Sequence, residues 1–386
     1  MHHRDHPPAP IRRTPGKGFA DYTVTQRLPK ILSNAQETLA DSGNGATAQK
    51  LLQAILAGDP IDRTLFCRPT SYWERYLQTL DQRTWADLPF FDLEFLFYHG
   101  LNSIAGYFDR GIDVFRRIRQ GALAEAIHSL DAGLDAIGAL PEAERLGAAI
   151  RYSLFANEAD YSQMETSRGD THLWDNRLLV DQADEFIARL PRRCQGAAAM
   201  HLIADNAGHE LCWDLIKIDA MLTLFDGLRV VLHVKPWPMF VSDALEVDVE
   251  ETLQRFVDST SDNLQAIGRR LQVALGKGQI SLQAETDWGE PRHFDALEDS
   301  LEAALRDAAG VIAKGDLNYR RFVHDRQWPA DTPVAKATAS IPFRALALRV
   351  LKSEATVGID PAVVKQAAAE RRDWQVCGHF AVVQMM

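Results

Sequence analysis

The sequence predicts an α/β protein: a mainly parallel sheet covered by helices, preceded by a mostly helical region. Three observations carry this expectation. Beyond residue 191, short apolar runs alternate with long amphipathic segments, as strands and crossover helices do. Before that point, apolar residues recur at helical spacing and β-branched runs are scarce. The polar strings richest in acids, asparagine and lysine follow the apolar runs directly, at the carboxyl ends of strands where open parallel sheets bind ligands.

A chain of 386 residues exceeds one small core. It divides into a disordered leader (1–20), a mostly helical region (21–190) and an α/β core carrying the candidate site (191–386). The leader has no apolar signal core, so secretion is not expected, and His2, His3 and His6 are taken as a solvated tail. In the helical region, 34–57, 93–104 and 121–137 show three- and four-residue apolar spacing. The aromatic stripe at 84–100, TWADLPFFDLEFLFYHG, reads as packing core.

In the α/β part, 197–204 reads as a buried strand and 209–225 as a helix. A second strand at 229–235 precedes a helical stretch over 249–275. Further strands are expected at 280–285, 310–314 and 381–384, with a helix over 294–308. No repeat at a solenoid or propeller period is present.

Composition is that of an ordinary globular protein, 46% hydrophobic and 25% charged. No apolar run reaches about 18 residues, so no membrane partner is expected. A net charge of −11 argues against nucleic acid, which needs clustered Lys and Arg, yet leaves room for a small anionic substrate. Cys67, Cys194, Cys212 and Cys377 form no CxxC pair, consistent with free thiols and a cytoplasmic location.

Asp205 and Asn206 follow the first strand in IADNAGHE, Asp243 follows the second in VKPWPMFVSD, and Asp316 follows a later one in VIAKGDLNYR. Acids at these strand ends converge on one edge of the sheet. Asp205, Asn206 and Asp243 offer hard oxygen ligands suited to Mg²⁺ or Mn²⁺. The plain alternative makes Asp205 or Asn206 a helix cap. Gly208 turns the chain into a helix whose N-terminus favours anions. Gly315 admits close backbone approach to an anion, and Lys314 and Lys352 suit phosphate oxygens. Pro236 and Pro238 stiffen the turn that aims Asp243 back at the edge. The chain has no GxxxxGK[ST], no GxGxxG after a strand and no GxSxG, and DNAGH lacks the second acid of a DxD phosphoenzyme site.

The strings DNAGHELCWDL, VVLHVKPWPMFVSD, VIAKGDLNYRR and LRVLKSEATVG resemble the metal-dependent damage-control phosphatases. The match is to the sugar-phosphate branch, whose human member was also described as an acidic-residue methyltransferase. Weaker similarity at YTVTQRLPKIL, HLWDNRLLVDQ and CGHFAVVQ extends it over nearly the whole chain. The resemblance implies a three-layer α/β/α core. It implies that Asp205, Asn206 and Asp243 hold a divalent cation, commonly manganese, cobalt or nickel. It points to Lys314, Gly315, Asp316, Asn318 and Tyr319 for phosphate and sugar, to Asn176 in a substrate loop, and to Lys352 as the lysine of an RTxK motif. Four positions depart from the family pattern: Val350 for a threonine, Asp175 and Arg177 for a glycine and a lysine, and His209 for an aromatic residue.

The expected activity is hydrolysis of small phosphomonoesters, with sugar phosphates such as fructose phosphates as substrates. Lys352 and Lys314 would balance phosphate charge, Asp316 would orient water or bind sugar hydroxyls, and Glu210 would stand behind the cation ligands. The alternatives are an S-adenosylmethionine-dependent carboxyl methyltransferase and a binding protein for a phosphorylated metabolite without turnover.

Overall fold

The computed structural model describes residues 6–155, 176–190 and 198–386. Its centre is a seven-stranded sheet in the order β1-β7-β6-β5-β2-β3-β4. The strands are β1 (Leu178–Asp181), β2 (Ala199–Ile203), β3 (Arg229–His233), β4 (Ile280–Gln283), β5 (Gly310–Lys314), β6 (Leu346–Val350) and β7 (Ala381–Met385). All neighbours are parallel except β6 and β7, so β7 and β1 run against the rest. Two of the seven escape the sequence reading. β1 and β6 are short, and a four- or five-residue apolar run does not by itself distinguish strand from buried helix.

Alternation along each strand sorts the side chains into two apolar layers. Met200, Leu202, Val230, Leu232, Leu348 and Val383 share a core with the helices Arg116–Gly138, Glu142–Phe155, His209–Leu224 and Asp262–Gly276. Ile203, Val311, Ala313, Ala347 and Val382 pack on the opposite face beneath Asp299–Arg306, Gly315–Phe322 and Pro361–Glu370. The architecture is therefore three-layer α/β/α. A third core unites the earlier helices with Trp237 and Met239 from the loop after β3 and with Leu317 from the Gly315–Phe322 helix. Among the described residues, no helix is long and apolar enough to cross a membrane.

Several expected boundaries shift for physical reasons. The stretch 34–57 is two helices, Leu28–Asp41 and Gly45–Ala57, parted at Gly43, whose φ is +75°. The stretch 249–275 is likewise two, Glu246–Val257 and Asp262–Gly276, separated by the Ser/Thr-rich DSTS turn. The 294–308 helix contracts to Asp299–Arg306, because Phe294 is committed to an aromatic cluster with Phe322 at 4.3 Å.

The leader is also corrected. Residues 8–20 are docked: Ile11 is buried and bonds through its backbone to Asp325 and Phe90, both at 2.8 Å, while the Ala9 carbonyl accepts from Gln327 at 3.0 Å. This edge-on pairing satisfies backbone groups that a free tail would leave to water. His2 and His3 lie outside the described residues, as do Asp175 and Cys194, whereas His6 is exposed. Nor does the packing break near 190: Arg116–Gly138, Glu142–Phe155 and β1 all belong to the layers of the sheet.

Three buried histidines and the half-buried His293 are held neutral. Burial pulls His99 and His201 down to about 4, and His233 and His293 to about 3. Trp288 donates to His233 Nδ1 at 3.3 Å, which leaves His233 Nε2 to donate to His201 Nδ1 at 2.8 Å. Unfolded, each histidine titrates near 6.5, so between that pH and about 4 only the unfolded chain takes up these protons and stability falls with pH. We expect the urea midpoint to decline steadily across this window, with the slope shallower by about one proton in His201→Gln. A slope unchanged by His201→Gln would contradict the buried neutral assignment.

Candidate active site at the β2–β5 switch point

From β2 the chain steps outward to β3 and β4, then returns to the other side of β2 as β5 and β6. The crossover direction reverses between β2 and β5, and a crevice opens there at the carboxyl ends. Asp205 lies two residues past β2, and Gly315 lies directly past β5. Gly315 has φ +90°, and a Cβ there would stand 2.1 Å from the Asp205 carboxylate carbon. The glycine admits the Asp205 side chain, a closer role than the anion approach expected from sequence.

Asp243 is brought to the same place by a folded-back loop. Ala207 donates to the Ser242 carbonyl at 2.7 Å and Ala244 to the Asp205 carbonyl at 2.9 Å, so Asn206 and Asp243 form an antiparallel bridge. Phe240 and Val241 hold φ of +48° and +70°, a conformation costly for a β-branched residue and sustained only by surrounding structure. That structure is the aromatic Phe90–Ala105 helix. Phe95 and Tyr98 meet the Phe240 ring at 5.3 and 4.8 Å, and Asn102 donates to the Pro238 carbonyl at 2.5 Å. The stripe read as packing core thus also clamps the Asp243 loop.

The acids crowd one another. Burial first, then Glu210 and Asp243, push Asp205 well above the usual carboxylate range, against the pull of Lys235 and Lys352. Burial also raises Asp243, which lies 3.2 Å from the Lys235 ammonium and whose Oδ2 has no well-directed hydrogen bond. Asn206 donates to Asp205 at 3.0 Å and to Glu210 at 2.8 Å, and its Oδ1 accepts from Ser242 at 2.5 Å. The donors are hard oxygens, and Asp205 and Asp243 are crowded together with Glu210, which fits a divalent cation. Among the described residues, no three His, Cys, Asp or Glu side chains form a ligand set by themselves. The residues expected from sequence to hold a cation, Asp205, Asn206 and Asp243, are two carboxylates and one carboxamide.

Asp316 stands in the opposite environment. Burial would raise it, but the Arg349 guanidinium, with Arg320 and the Ser353 hydroxyl, holds it below its ordinary value. Its Oδ1 accepts from Arg349 Nε at 2.8 Å and from Ser353 at 3.0 Å.

One cavity of about 70 Å³ is lined by Asp205, Glu210, Lys314, Gly315, Asp316, Lys352 and apolar Leu154, Leu348 and Val350. Asn206 and Asp243 are buried beside it. Lys314 is buried and ion-paired to Glu210 at 3.1 Å, whereas Lys352 is exposed at the rim. Three expected substrate residues are not in this lining. Asn318 is buried and donates to the Lys314 carbonyl at 2.7 Å, one helical turn back. Tyr319 lies one turn deeper than Asp316, beneath the Arg349 guanidinium at 4.3 Å, and donates to Gln384 at 2.8 Å. Asn176 is exposed at the start of β1, two strands away from β6. His209 meets Ser129 Oγ at 2.9 Å on the Arg116–Gly138 helix. Sequence reasoning gave no role to Lys235, Ser242, Arg349 or Ser353. The available signal was their adjacency to the acids and lysine in VKPWPMFVSD and LRVLKS.

Fold and site together define a three-layer α/β protein with an acid-and-lysine cavity at its switch point. The chain belongs to the damage-control phosphatase ARMT1-like domain family, whose model matches residues 23–366. It is similar to damage-control phosphatase ARMT1 of Rattus norvegicus, 24% identical with 95% of each chain covered. The Xenopus laevis protein of that name is 24% identical, covering 98% of this chain and 99% of its own. A solved DUF89 family protein from Pyrococcus horikoshii superposes with a TM-score of 0.49 at 14% identity, over 93% of this chain and 97% of that one.

The seating of Asp205 on Gly315 is testable. Gly315→Ala should lower the urea midpoint by the equivalent of roughly 2–4 kcal/mol. Gly278→Ala, at a similar φ of +69° with open space around it, should cost only about 1 kcal/mol of backbone strain. Equal losses in the two variants would refute the contact.

Proposed function

We propose that this chain is a metal-dependent phosphomonoester hydrolase acting on small phosphorylated metabolites of the cytoplasm, with sugar phosphates such as fructose phosphates as its substrate class, in metabolite damage control. The observation that carries the proposal is the cavity where Asp205 is held far above its ordinary pKa beside two lysines and a pinned acid. Membership of the damage-control phosphatase family supports it.

Asp205, Asn206 and Asp243 would hold the cation, with manganese, cobalt or nickel preferred and magnesium also suited. Once bound, the cation would polarise the phosphoryl group and lower the pKa of a water. Ser242 can donate or accept, so it satisfies the Asn206 carboxamide in either orientation. Lys352, with no ion pair among the described residues, would meet phosphate oxygens from the rim. Asp316, pinned and acidic, suits accepting a hydrogen bond from a substrate hydroxyl better than removing a proton. Leu154, Leu348 and Val350 form a wall that excludes water from the reacting group.

Turnover of a chromogenic phosphomonoester should require Mn²⁺, Co²⁺ or Ni²⁺, disappear with chelator and fall about a hundredfold or more in Asp205→Ala. Activity indifferent to both would overturn the metal assignment. Methyl transfer from S-adenosylmethionine that survives chelation would favour a methyltransferase, and tight sugar-phosphate binding without phosphate release a binding protein.

Asp316→Asn separates two roles. As a hydroxyl acceptor its loss should raise KM about tenfold while kcat stays within about threefold. A kcat loss of about 10² to 10⁴ with a displaced pH profile would instead make Asp316 the base.

A further inference from the structure

Behind the cavity lies a buried charge cluster that the proposed chemistry does not use directly. Glu210, Asp214 and Lys217 fall at i, i+4 and i+7 on the His209–Leu224 helix and so share one face. Lys217 is fully buried, 2.8 Å from Asp214 Oδ1 and 3.2 Å from Ser153 Oγ. The same Asp214 oxygen lies 3.1 Å from Lys314, which lies 3.1 Å from Glu210 Oε2. Lys314 and Glu210 line the cavity; Lys217 and Asp214 do not.

We propose that Lys217 is a positioning residue for anion binding, which neutralises Asp214 from behind and so leaves the Lys314 charge directed at the cavity. The proposal rests on the assignment of that cavity to phosphate.

The charges show why a second lysine is needed. Asp214 is wholly buried, and among the described residues its Oδ2 has no hydrogen bond, so it draws strongly on any nearby cation. With Lys217 present, the Asp214 carboxylate faces two ammoniums, those of Lys217 and Lys314. Without it, Asp214 would draw on Lys314 alone of the two ammoniums, and less of the Lys314 charge would be offered to an incoming phosphate. Glu210 also accepts from Asn206 at 2.8 Å, so the imbalance would reach the Asp205 side as well. A purely structural ion pair would leave phosphate affinity unchanged in a folded variant that lacks the Lys217 charge, which separates the two explanations.

The experiment is titration of the purified full chain with inorganic phosphate in Mn²⁺ buffer, followed by calorimetry, for wild type, Lys217→Gln, Lys217→Met and Lys217→Met with Asp214→Asn. Lys217→Gln retains donors for Asp214 and Ser153, so it tests the charge even if Lys217→Met does not fold. Both single variants should bind phosphate on the order of tenfold more weakly, as expected for loss of a unit charge about 10 Å away at an effective dielectric near 20. The paired neutral variant should recover to within about threefold of wild type, because the rear carboxylate is gone with its cation. Folded Lys217→Gln with unchanged phosphate affinity would overturn the proposal, and so would a paired variant as weak as the single ones. Wild type that binds no phosphate would overturn the phosphate assignment itself, a separate result.

Discussion

The Asp205 carboxylate, seated against Gly315 where β2 lies beside β5, is the contact around which the site is organised. Ile203 pairs with Ala313 in register, so the chain leaving β2 and the chain leaving β5 emerge side by side. A side chain at 315 would occupy the space of the carboxylate. Once Asp205 is there, Glu210 and Asp243 add to a negative charge that the interior cannot stabilise unaided. The lysines around it follow from that excess. Lys235 answers Asp243, Lys314 answers Glu210, and Lys352 tempers Asp205 from the rim.

Holding the second acid in place requires backbone strain. Two successive non-glycine residues in the left-handed region would relax if the loop were free. The aromatic helix at Phe90–Ala105 prevents this by ring contacts to Phe240 and a hydrogen bond to Pro238. The helical region is therefore more than an addition to the α/β core. Its own apolar cluster includes Trp237 and Met239 from that loop, which couples the packing of one part to the geometry of the site in the other.

Asp205 and Asp316 line the same cavity yet are tuned in opposite directions. Asp205 is surrounded by other acids and is driven up; Asp316 is gripped by Arg349 and driven down. Such a separation suits identical side chains to different tasks: under the proposed function, Asp205 would meet a cation and Asp316 would accept a hydrogen bond. Arg349 can grip Asp316 because it is itself held by the Ser353 carbonyl at 2.8 Å and stacked on Tyr319, which gives the tyrosine a supporting place in the site.

The sequence by itself determined the fold class and the strand-end positions of Asp205, Asn206, Lys314 and Asp316. Apolar period and the polar strings after each run are local signals that one stretch of chain carries complete. It also marked the proline-rich turn before Asp243. Tertiary structure alone decided which strand ends become neighbours, because β2 and β5 meet through a crossover reversal that no local pattern encodes. For the same reason it decided that Asn318 and Tyr319 turn into the interior, that Asn176 stays exposed ahead of β1 and away from the cavity, and that residues 8–20 dock against the turn at Asp325. Gly315 shows the division most plainly: the sequence marked it as a place where an anion could approach the backbone, but the carboxylate that fills the space beside it came from a distant part of the chain.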